Sequence, residues 1–213
     1  MPGTANFGSF TEMTDPPNTP ALHDLSDEAL VLRMGESGDR SSFGIIYQRY
    51  QRRVLSRAYN MVGDPVEAQD LSQEVFLKLF KNAAKYKHQS AFAAWFKVMT
   101  YNVVIDELRK TQRIRLVPLP EDDRALPVLT DSENAIREKR MFEMLHERLM
   151  QLLELISEEE KLMLLMKYRD DIPVKTIAAT FDLGESAVKM RLRRGRMKVL
   201  QLDRSMAPLD PTE

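Results

Sequence analysis

The chain has 213 residues, 43% of them apolar and 30% charged, with a formal net charge of −1. It has no cysteine and only three dispersed histidines, His23, His88 and His146. That excludes a disulfide scaffold, a Cys-ligated metal site and a Cys nucleophile, and neither a metal nor a cofactor is expected. No apolar run approaches the roughly 20 residues that span a bilayer, and no basic-then-apolar leader opens the chain, so a cytoplasmic protein is expected.

The near-zero charge conceals segregation. Residues 1–39 hold one base and seven acids, and residues 40–113 hold 13 bases and six acids. Residues 114–160 hold six bases and 12 acids, and residues 174–204 eight bases and three acids. Two basic blocks around an acidic connector are the footprint of a polyanionic partner.

In chain order, residues 1–23 carry Pro2, Pro16, Pro17 and Pro20 and read as a disordered tail. Ser26 caps a first helix that ends near Gly35 to Gly38. Phe43, Ile46, Tyr47, Tyr50, Val54 and Ala58 step by three and four along a second, which Gly63-Asp64-Pro65 stops. A third spans about Val66 to Lys81 and a fourth about Phe92 to Lys110. Residues 113–133, with Pro118, Pro120, Pro127 and Glu121-Asp122-Asp123, read as an acidic linker. Helical pattern resumes near Glu133 and runs to about Ile156. Ser157 to Glu160 has capping-box spacing and opens a helix to about Tyr168. Asp170-Asp171-Ile172-Pro173 breaks it; a short helix to Phe181 and a long basic one from about Glu185 to Leu202 follow. The fold class is all-α: a four-helix module over 24–112, the linker, a smaller module over 134–203, and a tail over 204–213.

Thr176 to Val188 has helix-turn-helix form, with Ala178 allowing close approach and Gly184 placed at the turn for positive φ or tight packing. Val188, Leu192, Gly195 and Val199 form the buried seam of the last helix. Ser186, Met190, Arg193, Arg194 and Met197 point away from it, and Lys189, Arg191 and Arg196 flank it. Such a helix suits a DNA major groove; a solvated basic helix ending a bundle is the other reading.

In the third helix Ala68, Leu71, Val75 and Leu79 make one stripe, and Asp70, Gln73, Glu74 and Leu77 the opposite one. Two acids, an amide and a leucine on one strip suit a docking face; an ordinary surface with one exposed leucine is the alternative. In the fourth, Phe92, Phe96, Met99 and Val103 are core, while Trp95, Asn102 and Arg109 recur by sevens along a flank that could stack on and hydrogen-bond single-stranded bases. Trp95 also fits the core, and Tyr101 fits either role.

Asp64 to Phe80, Trp95-Phe96 to Asn102 and Ile105 to Arg109 resemble the second domain of bacterial sigma factors, and Lys175 to Val199 resembles their fourth. The two-domain layout is similar to the extracytoplasmic function (ECF) subfamily of the sigma-70 class. The resemblance implies that Asp70, Gln73, Glu74 and Leu77 dock on core RNA polymerase. It implies that Trp95, Asn102, Arg109, Lys110 and Arg113 serve the minus-ten element, with single-stranded capture there. Ser186, Lys189, Met190, Arg191, Arg193, Arg194 and Arg196 would serve the double-stranded minus-35 element. It also implies an anti-sigma factor as partner, and no catalysis. Ala187 stands where relatives often carry Thr, and Arg193 where some carry an aromatic. A stand-alone helix-turn-helix transcriptional regulator is the alternative, and it leaves the first module unexplained; no phosphate loop or nucleophile–base pairing supports an enzyme.

Overall fold

The structure, a computed structural model, describes residues 21–87, 91–111, 113–114 and 146–206. The expected linker lies outside the described residues apart from 113 and 114, as do residues 1–20 and the expected helical start over 133–145. All regular elements among the described residues are helical.

Helix α1 (Asp27–Ser37) starts where the Ser26 hydroxyl accepts the Ala29 N–H, and α2 (Arg40–Val62) where Asp39 accepts from Ser41. Gly38 and Gly63, both at positive φ, end them. The first helix ends within the expected Gly35 to Gly38 stretch, and Gly35 itself lies inside α1, where a Cβ would meet the Ala84 Cα at 2.8 Å, so it lets α1 pack on the 3₁₀ turn Ala83–Lys85. Asp64 caps α3 (Pro65–Asn82), with proline at the first helical position. Helix α4 (Phe92–Lys110) is capped from outside: its first N–H donates to Glu28 of α1 at 3.0 Å, which holds that carboxyl below its ordinary pKa. A 3₁₀ turn at Leu22–Asp24 overlaps the stretch that the sequence gives to a disordered tail, because Arg49 donates to the carbonyls of His23 and Leu25 and to the Asp27 carboxylate.

Edge-to-face and stacked rings of Tyr50, Phe76, Phe92 and Phe96 fill the centre of α1–α4, with centroids 5.3–5.6 Å apart.

Helix α5 covers residues 146–154. The capping box that opens α6 (Glu158–Leu164) is complete, with Ser157 and Glu160 each satisfying the other's backbone N–H. α6 continues into a wide π turn, Leu165–Arg169, before Asp170 and Asp171; Asp171 has φ 49°, a conformation that a short polar side chain tolerates. Then come α7 (Val174–Phe181) and α8 (Glu185–Ser205). The turn between them corrects an expectation: Gly184 has φ −72° and open space around its Cβ position, whereas Asp182, at φ 58°, makes the left-handed step. Gly184 acts as the N-cap of α8, not as a sterically required turn residue. α8 also runs past Leu202 to Ser205, where Arg148 of α5 donates to the carboxylate and carbonyl of Asp203.

The two modules do not stand apart. Buried side chains of α5–α8, among them Leu153, Ile156, Leu162, Ile172 and Phe181, join those of α1–α4 in one continuous apolar core.

Candidate polymerase and nucleic-acid interfaces

Helix α3 is two-faced because most of its apolar residues keep helical spacing on one side. Ala68, Leu71, Val75 and Leu79 are buried. Asp70, Gln73, Glu74 and Leu77 are all exposed on the opposite side, Leu77 by 53%. Neither Asp70 nor Glu74 has an ion-pair partner within 4 Å among the described residues. The strip borders an aromatic patch in which Phe43 and Tyr47 of α2 touch Phe76 and Phe80 of α3, with centroids 4.7–6.4 Å apart.

The α4 residues are placed differently. Trp95 is half-buried against Tyr86 and Phe92, with ring centroids at 5.3 and 6.1 Å, so its indole has a packing role. Asn102 is half-buried and makes no side-chain hydrogen bond among the described residues. Arg109 reaches the Thr180 carbonyl at 3.4 Å, where the C-terminal end of the α7 dipole favours a cation. Arg113 is bound twice: to both oxygens of Glu67 at 2.7 and 2.8 Å, and to Glu158 at 3.1 Å. Lys110 is exposed and pairs with Glu107.

In α8, Ser186, Lys189 and Arg196 are exposed, while Met190, Arg193 and Arg194 are half-buried. Arg191 overturns its expected place on the flank. It is only 7% exposed, and its Nε lies 2.7 Å from the Glu159 carboxylate of α6. Burial raises the Glu159 pKa against the opposing pull of Arg191. Arg191 thus ties α8 to α6, one helical step inward from the outward face.

Sequence reasoning missed a second polar cluster. The Asp170 carboxylate accepts a two-pronged bond from Arg57 of α2, Nε at 2.9 Å and Nη2 at 2.8 Å. It also accepts from the Tyr101 hydroxyl at 2.7 Å, and the Lys97 ammonium donates to the Asp170 carbonyl at 2.9 Å. Burial raises the Asp170 pKa, but the bonds from Arg57 and Tyr101 and the nearby cations outweigh it and hold the carboxyl below its ordinary value. Burial and the facing carboxylate push the Tyr101 hydroxyl far up, so it stays a donor. The available signal was Tyr101, an aromatic off both the core stripe and the flank; Asp170 had read only as a helix breaker.

Two family models match the chain in order: sigma-70 region 2 over residues 46–114 and sigma-70 region 4 over residues 146–199, together more than half its length. The chain belongs to the sigma-70 family of RNA polymerase sigma factors, proteins that recognise promoters. Within that class it is of the ECF type. It is 26% identical over 191 residues to the ECF RNA polymerase sigma factor SigE of Mycolicibacterium smegmatis, covering 89% of this chain and 69% of that protein. It is 27% identical over 191 residues to the ECF RNA polymerase sigma-E factor of Escherichia coli strain K12, covering 87% and 96%. It is 22% identical over 178 residues to SigW of Bacillus subtilis, covering 78% and 90%. A solved structure of CnrH in complex with the cytosolic domain of CnrY shares the fold, with a TM-score of 0.55 at 17% identity over 85% of this chain and 99% of that one.

Proposed function

We propose that residues 24–112 dock this sigma factor on core RNA polymerase and handle the minus-ten element, and that residues 134–203 read the minus-35 element across a linker at 113–133. Asp70, Gln73, Glu74 and Leu77 form the docking strip. The carrying observation is their shared exposure on one side of α3 while the other side is buried. Two carboxylates there suit a basic helical partner, and Leu77 supplies the apolar contact.

Asn102 supplies an amide for an unstacked base, with Trp95 bracing the helix behind it. Arg109, Lys110 and Arg113 neutralise phosphates. Unstacking costs a few kcal/mol per base and is recovered by capture of the base, so opening is driven by binding and needs no covalent chemistry. Ser186, Lys189, Met190, Arg193, Arg194 and Arg196 face the duplex at minus-35. Arg191 is assigned to holding α8 on α6, because its guanidinium is already committed to Glu159. No described helix is long and apolar enough to cross a membrane. A cytoplasmic protein held in check by an anti-sigma factor follows from the family resemblance.

The test is co-elution of the full chain with core polymerase on size exclusion. The wild type is expected to co-elute and Glu74→Arg to elute separately while keeping its helical circular dichroism. Co-elution of a folded Glu74→Arg variant overturns the docking assignment. No co-elution of the folded wild type overturns it as well.

A further inference from the structure

We propose that Arg57, Lys97 and Tyr101 form a phosphate-binding socket for promoter DNA, and that the Asp170 carboxylate occupies it while the two modules are closed on each other.

The donors are what a phosphodiester needs. An arginine fork presents two parallel N–H groups, a tyrosine hydroxyl adds a third donor, and an ammonium stands nearby. Here they converge on one carboxylate, whose two oxygens stand in for the two non-bridging oxygens of a phosphate. Arg57 gives two bonds, at 2.9 and 2.8 Å, Tyr101 gives one at 2.7 Å, and the Lys97 Nζ lies 3.8 Å from the carboxylate. The donors come from α2 and α4 of the first module; the acceptor comes from the second, 113 residues from Arg57 along the chain. The socket therefore keeps its donors and loses its anion whenever the modules part.

Two further contacts follow the same rule. Arg109 rests on the Thr180 carbonyl and Arg113 on Glu158, so acceptors of the second module also engage cations assigned above to DNA. The covered side of α4 runs from Lys97 and Tyr101 to Arg109, about three turns along. DNA cannot reach Arg109 fully until α7 withdraws, and the same withdrawal empties the socket. The inference rests on the reading of α4 as the minus-ten helix and adds Arg57, Lys97 and Tyr101 to it.

The experiment uses the full chain without polymerase. The probe is a fluorescein-labelled duplex of mixed sequence with a central unpaired bubble, because phosphate contacts are sequence-independent. Affinity is read by anisotropy across a salt series. Asp170→Asn is expected to bind about tenfold more tightly than wild type at low salt. Its log–log salt slope should be steeper by about 0.7–0.9 for each added phosphate contact. Adding Arg57→Ala to Asp170→Asn should return the affinity and slope to wild-type values; Lys97→Gln, at a partly exposed position, replaces it if that double variant does not fold. An Asp170→Asn chain with wild-type affinity and slope, or a double variant that keeps the gain, overturns the socket.

If Asp170→Asn itself does not fold, Arg57→Ala is placed in reconstituted holoenzyme. There it should lower the salt slope of promoter binding by about 0.7–0.9 with polymerase co-elution intact. An unchanged slope overturns the socket. Failure of the wild type to join polymerase at all sinks the proposed function instead, and the DNA titration still decides the socket.

Discussion

The outward strip of α3 and the second-module side of α4 carry opposite charges and opposite fates. On α3, Asp70 and Glu74 face solvent with no ion pair within 4 Å among the described residues. On α4 and just beyond it, Lys97, Tyr101, Arg109 and Arg113 each have an acceptor supplied by α6, α7 or the turn between them. One surface is displayed and the other is covered. A charge left unpaired at a surface costs little, since water solvates it, so the acidic strip is available to an external partner at all times. The cations are available only if the chain releases them. This fits a sequence of events in which polymerase is met first and DNA afterwards.

The largest expected effect comes from removing the central acceptor. Asp170→Ala leaves the half-buried Arg57 guanidinium without its carboxylate, and losing charge-assisted bonds of this kind costs about 1.5–3 kcal/mol. Equilibrium denaturation should report that loss, and small-angle scattering should report expansion as the modules separate. A variant that stays compact and stable removes Asp170 from the closure.

Acid should act through the same group. The Asp170 pKa is lowered from its ordinary 3.8, so its contribution to stability is present above about pH 4 and is lost as pH falls through the lower folded value. Scattering of the wild type from pH 6 to 3 should show expansion below pH 4, and Asp170→Asn should lack that component. An identical acid response in the two chains would count against the assignment.

Asn102→Ala is expected to leave polymerase binding unchanged and to reduce promoter opening about 10-fold, or ~1.4 kcal/mol, followed by permanganate reactivity. Normal opening removes Asn102 from base capture. Arg113→Ala should cost only about 1 kcal/mol, because its pairs are partly exposed and screened; the loss should shrink further in high salt. The smallest effect completes the contrast: Glu74→Ala should change stability by no more than about 0.5 kcal/mol while weakening polymerase binding. A large stability loss there means that the α3 strip has an internal partner after all.

Much of this molecule was legible in the chain itself because its signals are local. Ser26, Asp64, the Ser157–Glu160 box and the Asp170–Pro173 break mark element ends through the chemistry of neighbouring backbone groups. The two stripes of α3 follow from helical periodicity alone, and so does the burial of Val188 and Leu192 in α8. Where reasoning from sequence fell short, as at Gly35, or failed, as at Arg191, the deciding contact was remote. Gly35 is required by the Ala84 backbone across a helix packing, and Arg191 is drawn inward by Glu159. Periodicity puts Arg191 on a flank but does not say what stands opposite. The sequence alone therefore determined most of the described helices and their faces, the segregation of charge and the family. Tertiary structure decided which charges are displayed and which are spent on each other. The physical reason is distance along the chain: Arg57 and Asp170 are 113 residues apart, and only the packing of α2, α4 and α6 into one core brings a guanidinium, a phenol and a carboxylate within hydrogen-bond reach.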